Sequence, residues 1–332
     1  MTIREALAEG AAALAAATDT SALDASLLLA SILNISRSSL IAADSRPLDE
    51  ASIAAFRALV KRRLNGECTA YILGRKEFYG LDFQVTPAVL VPRPDTETLV
   101  ETALGVIKQL AAANKPVRVL DCMRRTEGSE TNTLPKQEPV RVLDMCTGSG
   151  AIAVALKRNF ALKHRVPELE VWAADISAEA LAVARANAAR LLPPDAIHFC
   201  HGDLFGALPP AAQGGDAAPP FHLIVSNPPY VPAAEIAGLA PEVRGEPLLA
   251  LDGGDDGLSV IDGLISGAPQ FLHPAGALLL EADPRQMQRI TALLRQAGFT
   301  DIQTRRDLSG AERVIGATYR GVGCPDVFFQ DC

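Results

Sequence analysis

The stretch Val140-Arg-Val-Leu-Asp144-Met-Cys-Thr-Gly148-Ser-Gly150-Ala151 contains the signal that decides the fold. Its first residues are apolar in the pattern of a short buried strand. An aspartate ends that strand, and two glycines then provide a turn into an alanine-rich helix. Glycines at a strand-to-helix turn let a ligand approach the backbone closely. The stretch therefore predicts a strand, turn and helix with a ligand site at the turn.

Strands and helices alternate around this stretch. We predict strands at residues 140–144, 170–175, 196–200, 221–226 and 276–281. We predict helices at residues 98–110, 150–161, 178–191, 257–270 and 284–297. This alternation predicts an α/β fold with a Rossmann-like parallel sheet and helices on both faces. The last two strands, at about 300–306 and 312–319, are predicted to form a terminal hairpin.

The chain divides into a helical unit, a linker and the α/β domain. Residues 1–74 carry alanine and leucine at helical spacing, which predicts a small helical recognition or packing domain. Residues 75–95 form the linker, in which alternating apolar residues and turn formers over 77–92 predict a β-hairpin. Residues 96–320 are assigned to the α/β domain, and residues 321–332 form a tail.

A hexapeptide occurs twice, as Pro116-Val-Arg-Val-Leu-Asp121 and as Pro139-Val-Arg-Val-Leu-Asp144. Only the second copy continues into the glycine turn, whereas the first runs into a polar stretch. We therefore predict that residues 115–138 are a flexible, solvated insertion and that the second copy occupies the sheet. Residues 208–220, rich in proline, alanine and glycine, are predicted to be another flexible loop.

Three aspartates, Asp144, Asp175 and Asp203, end successive predicted strands. Because the carboxyl ends of parallel strands meet at one edge of the sheet, we expect them to line one cleft. Asp144 suits an ammonium group better than a phosphate. Asp175 lies 25 residues after Gly150 (175 − 150), near the spacing used to hydrogen-bond ribose hydroxyls. Asp203 is placed to meet an adenine amine.

An adenosine that carries a cationic amino acid is S-adenosylmethionine, and we predict this cofactor. A nicotinamide dinucleotide is the rival ligand, since Gly148-x-Gly150-x-x-Ala153 fits the looser dinucleotide fingerprint. Each aspartate alone is also compatible with a helix-capping role. The three aspartates together favour S-adenosylmethionine as the ligand.

Asn227-Pro228-Pro229-Tyr230 follows the predicted strand at 221–226. The two prolines remove two N–H donors and hold the chain extended. The Asn227 side-chain oxygen and a proline carbonyl can then accept both N–H groups of a planar –NH2, such as a carboxamide or the adenine amine. The Tyr230 ring can cover the planar face. The alternative is a rigid turn without chemistry.

The composition limits the other function classes. The 332 residues carry a formal net charge of −8, and the densest basic cluster, Lys61-Arg62-Arg63, is interpreted as the solvated end of a helix. We therefore predict no direct nucleic-acid partner. Apolar stretches too short for a bilayer and an amino terminus without a signal pattern predict no membrane partner and a cytoplasmic location. Six scattered cysteines without a CxxC pair predict no metal.

The chain resembles the release-factor glutamine methyltransferases, often called PrmC or HemK, over nearly its whole length. Five motifs carry the resemblance: Glu77-Phe78-Tyr79-Gly80, Val91-Pro92-Arg93-Pro94-Asp95-Thr96-Glu97, Thr147-Gly148-Ser149-Gly150, Asn227-Pro228-Pro229-Tyr230 and Glu246-Pro247. The second and fourth motifs together are specific. The fourth alone is not, because adenine N6-methyltransferases share it.

The resemblance implies a helical substrate-recognition domain followed in the sequence by a Rossmann-like methyltransferase domain. It implies methyl transfer from S-adenosylmethionine, with S-adenosylhomocysteine as product, to the glutamine amide nitrogen of the Gly-Gly-Gln motif in peptide chain release factors. By family pattern, the cofactor contacts are Cys146, Thr147, Gly148, Ser149, Gly150, Asp175, Leu204 and Asn227. Residues 227–230 hold the glutamine, and Arg93 and Glu97 form either an exposed ion pair or part of the substrate face.

One residue departs from the family pattern, since Cys146 stands where glycine is usual. We expect its side chain to point away from the ligand unless the turn is remodelled. Three alternatives remain open at this point. They are an N6-adenine methyltransferase acting on DNA or RNA, a ribosomal-protein glutamine methyltransferase, and a non-catalytic partner-binding protein that keeps the fold.

Overall fold

The computed structural model describes residues 1–113, 139–163, 169–209 and 221–320. The predicted insertion at 115–138, which includes the first hexapeptide copy, lies outside the described residues. So do the predicted tail at 321–332 and residues 210–220 of the predicted loop.

Residues 1–74 form five helices, as their periodicity predicts. They are α1 (Ile3–Leu14), α2 (Ser21–Leu33), α3 (Arg37–Ala42), α4 (Glu50–Leu64) and α5 (Thr69–Leu73). The Asp49 carboxylate accepts a hydrogen bond from Ser52 N at 2.6 Å and so caps the start of α4. The helices pack around a small apolar core of their own, in which Phe56 is one of the largest buried side chains.

The linker contains a hairpin that is shorter than the sequence predicts. Its antiparallel strands are β1 (Arg75–Phe78) and β2 (Leu81–Gln84), and Tyr79 and Gly80 turn between them with positive φ angles. The chain then leaves the ladder, so the predicted extension to residue 92 is wrong. Two prolines, Pro87 and Pro92, lie in this segment and cannot donate to a ladder. Helix α6 (Thr96–Ala113) follows.

Seven strands form the main sheet. They are β3 (Val140–Met145), β4 (Leu169–Asp175), β5 (Ile197–His201), β6 (Phe221–Ser226), β7 (Leu272–Glu281), β8 (Phe299–Arg306) and β9 (Glu312–Tyr319). Their order is β5-β4-β3-β6-β7-β9-β8. The first five are parallel, and β9 is antiparallel to both β7 and β8. The Rossmann-like sheet and the terminal hairpin are therefore confirmed.

Helices cover both faces of this sheet. The covering helices after α6 are α7 (Ala151–Lys163), α8 (Ala178–Leu191), α11 (Ser259–Gly267) and α12 (Met287–Gln296), and two short helices, α9 (Ala233–Ile236) and α10 (Pro241–Arg244), lie between α8 and α11 in the sequence. Helices α6, α7 and α8 contribute to one apolar cluster, and α11 and α12 contribute to a second. None of the helices within the described ranges combines the length and apolarity that a membrane span requires.

The order in which the chain adds strands to the sheet reverses at β3. It proceeds from β3 to β4 and β5 on one side, and β6 returns to pair with β3 on the other side. At such a switch point the loops that follow the two central strands diverge and leave a crevice beyond their carboxyl ends. The topology therefore places a ligand site between the residues after Met145 and those after Ser226.

Candidate active site

A cavity of about 410 Å³ opens at this crevice. Its size is within the range of small-molecule sites. It brings together most of the residues predicted from the sequence, from four different strand ends. They are Cys146, Thr147, Gly148, Ser149, Asp175, Asp203, Leu204, Asn227 and Pro229.

The two glycines of the turn have different roles. Gly148 has a φ of 55°, and a Cβ there would meet no atom within 4 Å, so its backbone stays open to a ligand. Gly150 has a φ of 78° and does not line the cavity. A Cβ on Gly150 would lie 3.1 Å from the Ala184 Cβ. Gly150 therefore allows α8 to pack against the turn, and its contact with the cofactor stays a prediction.

Asp144 lies beneath the turn rather than on the cavity surface. Its Oδ2 accepts hydrogen bonds from Thr147 Oγ1 at 2.6 Å and from Ala153 N at 3.0 Å. Within the described part of the chain, its Oδ1 has no hydrogen-bond partner. Complete burial raises the pKa of this carboxyl to about 7. The carboxyl ties the turn to the start of α7, and the contact of Asp144 with the cofactor stays a prediction.

Asp175, unlike Asp144, lines the cavity. Its Oδ2 accepts from Gly148 N at 2.8 Å and its Oδ1 from Ser177 N at 2.9 Å. Burial raises its pKa. Each carboxylate oxygen can accept more than one hydrogen bond, so Asp175 can also bind a pair of ligand hydroxyls. Asp175 therefore holds the glycine turn at the wall of the cavity.

The end of β5 supplies a polar and an apolar surface. Asp203 lines the cavity, and Leu204 beside it has a φ of 43°. A Cβ on Gly263 would come within 2.8 Å of the Leu204 Cδ1, so α11 holds this leucine closely. Ile176 also lines the cavity and is 50% exposed. Two aliphatic side chains and a carboxylate suit a planar aromatic group that carries an amine.

Cys146 occupies the turn without remodelling it. Its φ is 60°, in the left-handed region that glycine adopts freely, which costs a residue with a side chain about 1–2 kcal/mol. Its side chain packs against the second apolar cluster, close to Ser226. The site thus tolerates the replacement of glycine.

Cys146 is expected to resist alkylation in the folded protein. Burial, and then the nearby Asp175, raises the pKa of its thiol to about 12, so almost no thiolate is present near neutral pH. Iodoacetamide at about pH 8 should label the Cys146 peptide rapidly only after urea unfolding. Peptide mass spectrometry of native and unfolded samples measures this, and equal labelling of the two samples would contradict the protection that the raised pKa of the thiol predicts.

Asn227 is held with a defined orientation at the end of β6. Its Nδ2 donates to Thr96 Oγ1 at 3.2 Å. Its Oδ1, on the other side of the amide, is then available to a ligand in the cavity that Asn227 lines. Pro229 also lines the cavity, whereas Pro228 is buried away from it.

Tyr230, at the end of the tetrapeptide, lies beside the cavity rather than in its wall, and its contact with the substrate stays a prediction. The ring packs against the second apolar cluster and does not line the cavity. The Tyr230 carbonyl accepts a hydrogen bond from Gln286 Nε2 at 3.0 Å, and burial raises the pKa of its hydroxyl to about 12. Tyr230 therefore anchors the tetrapeptide to the domain, because its side chain turns toward the core after the two prolines.

Arg93 and Glu97 do not pair with each other, so the exposed ion pair is ruled out. The Arg93 guanidinium binds Glu246, and Glu97 Oε1 accepts from Tyr79 N at 2.9 Å. Glu246 also accepts from Val91 N at 3.1 Å. Arg93 lines the cavity, and Glu97 does not. The sequence motif thus ties separate segments together around the site.

The sequence alone did not identify two residues that contact the residues of this site. Thr96 is buried beside Asn227, and Glu246 is buried against Arg93. Thr96 lies in the motif Val91–Glu97 and Glu246 in the motif Glu246-Pro247. No local sequence pattern connects either residue with its partner, which is distant in the sequence. Among the described residues, no group of three or more histidine, cysteine, aspartate or glutamate side chains is arranged to hold a metal.

Two family models and a solved structure match this chain. Residues 5–74 match the family model "PrmC N-terminal domain", and residues 128–240 match "Methyltransferase small domain". A solved structure of the hMettl16 catalytic domain in complex with a MAT2A 3'UTR hairpin shares the fold. Its TM-score is 0.50 at 13% identity, and the match covers 79% of this chain and 81% of that one.

Curated relatives match over most of their length. One from Burkholderia pseudomallei, called release factor glutamine methyltransferase, is 39% identical over 94% of this chain and 96% of its own. One from Bordetella pertussis with the same name is 42% identical over 86% of this chain and 90% of its own. The chain therefore belongs to the family of release factor glutamine methyltransferases.

Proposed function

We propose that this protein transfers a methyl group from S-adenosylmethionine to the side-chain amide nitrogen, N5, of the glutamine in the Gly-Gly-Gln motif of peptide chain release factors. The observation that carries the proposal is the oriented Asn227 amide at the edge of the cavity, opposite the open glycine turn. The relatives' names support the substrate class. We also propose a cytoplasmic location, because release factors act in translation, and no direct nucleic-acid partner, because the net charge is −8.

The residues present fit this cofactor. The open backbone of Gly148, the Asp175 carboxylate and the Asp203–Leu204 surface would hold the amino acid, the ribose and the adenine, respectively. The cavity volume of about 410 Å³ is adequate for such a ligand. When bound, S-adenosylmethionine supplies an electrophilic methyl group on a sulfonium, and S-adenosylhomocysteine is the product.

The chain's own residues must orient a weak nucleophile. An amide nitrogen is weak because its lone pair is delocalised into the carbonyl. The Asn227 Oδ1 and a carbonyl of the Pro228–Pro229 segment, of which Pro229 lines the cavity, would accept the two amide protons and hold the nitrogen in line for the transfer. Both oxygens also stabilise the positive charge that develops on that nitrogen. The extra proton leaves to water after the transfer, so no strong base is required.

Mass spectrometry of a recombinant release factor, after incubation with this protein and S-adenosylmethionine, tests the proposal. We expect a gain of one methyl group on the glutamine of the Gly-Gly-Gln peptide. A release factor with that glutamine replaced by glutamate is the matched control. Methylation of an adenine oligonucleotide or of a ribosomal protein, without methylation of the release factor, would instead support one of the alternatives.

Asp175→Ala is expected to weaken binding of S-adenosylmethionine by about tenfold to a hundredfold, because a hydrogen bond to a charged group contributes about 1.5–3 kcal/mol. The variant also loses the bond that holds Gly148 N. Titration calorimetry measures the affinity. Asp19→Ala, which removes an exposed aspartate of the helical unit, is the control. Equal affinity of both variants would exclude Asp175 from the cofactor site.

A further inference from the structure

Glu281 is a buried carboxyl that the proposed mechanism does not use. It ends β7, whose neighbouring residue Leu280 pairs with Ser226 at the end of β6. Glu281 is only 1% exposed, and in the described chain its Oε2 has no hydrogen-bond partner. A buried acid with an unsatisfied oxygen lowers the stability of the fold, so its presence calls for an explanation. Its position, next to the Asn227 segment, suggests what that role is.

Thr96 connects Glu281 with Asn227. Its hydroxyl lies beside the Glu281 carboxyl, close enough to act on the pKa of that carboxyl, and its Oγ1 accepts from Asn227 Nδ2 at 3.2 Å. A threonine hydroxyl has one proton to donate. When Thr96 donates that proton to the Glu281 carboxylate, it can only accept from Asn227. The Asn227 amide must then turn its NH2 group toward Thr96 and leave its oxygen for the cavity.

We propose that Glu281 is a positioning residue, which acts through Thr96 to keep the amide oxygen of Asn227 directed at the substrate. The inference rests on the proposed function, since it explains how the acceptor for the glutamine amide is oriented. It also explains why threonine occupies the fourth position of the Arg93–Glu97 motif: Thr96 is the link between the two strand ends.

The arrangement depends on the charge state of Glu281. Burial raises the pKa of this carboxyl to about 7, and the Thr96 hydrogen bond and Arg313 and Arg93 oppose the rise. Asp95 and the Tyr230 hydroxyl also face it. Protonated Glu281 can itself donate to Thr96, whose hydroxyl then donates to Asn227. That reversal turns the amide oxygen away from the cavity.

The pH dependence follows from this reversal. The ionised carboxylate is the competent form, so the rate should be full above about pH 7 and should fall as the pH drops through the raised pKa. Glu281→Gln should flatten this part of the single-turnover profile, because a carboxamide does not titrate. A profile in Glu281→Gln that falls as it does in the original protein would overturn the proposal.

Thr96→Val tests the link itself. We expect the single-turnover rate to fall by about tenfold to a hundredfold, the size of effect that a misplaced catalytic group produces, with little change in cofactor affinity. Thr96→Ser should recover most of the loss because it restores the hydroxyl. Thr102→Val is the matched control, since its hydroxyl bonds only to the Thr98 carbonyl on the same helix. Equal rates for Thr96→Val and Thr102→Val would overturn the link.

The side-chain amide signal of Asn227 provides a second measurement, in ¹⁵N-labelled protein without substrate, assigned with Asn227→Ala. We expect this signal to shift with a midpoint near pH 7 in the original protein and to stay constant in Glu281→Gln. A signal that does not respond to pH in the original protein would refute the relay. Failure of the protein to methylate a release factor would instead refute the proposed function, and the amide signal would still test Glu281.

Discussion

Asn227→Ala is expected to lower kcat for release-factor methylation by about a hundredfold to a thousandfold, the loss that follows removal of one preorganised transition-state group. The variant lacks the oxygen that accepts the substrate N–H and stabilises charge on the nitrogen. Its effect should fall mainly on kcat, because these interactions strengthen as the C–N bond forms. Steady-state assays with a release factor and S-adenosylmethionine measure kcat and KM separately.

Asn65→Ala is the matched control for this variant. Asn65 is exposed at the end of α4, so the substitution makes the same chemical change outside the cavity and should leave kcat unchanged. The melting temperature of Asn227→Ala should stay close to that of the original protein, since Asn227 is only half-buried. Near-normal turnover by folded Asn227→Ala would remove this residue from the mechanism.

The regular elements of the fold could be predicted because their signals are local. The strand Phe221–Ser226 and the helix Ala178–Leu191 have the predicted limits. An apolar run followed by Asn-Pro-Pro ends the first, and Ser177 caps the start of the second, with its hydroxyl accepting from Ala180 N at 3.1 Å. The hairpin was predicted to be too long because alternating apolar residues continue past the ladder into segments that contain proline.

The side-chain partners around the site could not be predicted in the same way. Asp144 and Asp175 both end strands, and the sequence treats them alike. In the fold, one is buried under the turn and the other faces the cavity. Arg93 and its partner Glu246 are separated by 153 positions. No local pattern encodes such a pair, which forms only when the linker packs against the segment after β6.

Arg63→Met is expected to lower the free energy of unfolding by about 3–5 kcal/mol, because it leaves a buried charge without its partner. The interpretation of Lys61-Arg62-Arg63 as a solvated helix end is wrong for Arg63, which is 3% exposed. Its Nε donates to Asp24 Oδ2 at 2.9 Å, and its guanidinium also binds Glu242. A loss of this size is a large fraction of a typical stability of about 5–15 kcal/mol.

The control for Arg63→Met is Arg62→Met on the same helix. Arg62 forms an exposed pair with Glu67, so its removal should change the unfolding free energy by at most about 1 kcal/mol. Urea unfolding followed by circular dichroism compares the two variants. The double substitution Asp24→Leu with Arg63→Met should recover part of the loss, because it removes both buried charges. Equal midpoints for the two single variants would mean that the Asp24–Arg63 pair contributes no more than a surface pair.

The position of this ion pair gives it a consequence for the active site. Asp24 and Arg63 belong to the helical unit, whereas Glu242 lies in α10, four residues before the Glu246 that binds Arg93 at the cavity (246 − 242). Arg63→Met should therefore also raise the KM for the release factor, even at temperatures where the variant stays folded. An unchanged KM would show that the helical unit and the rim of the cavity are energetically independent.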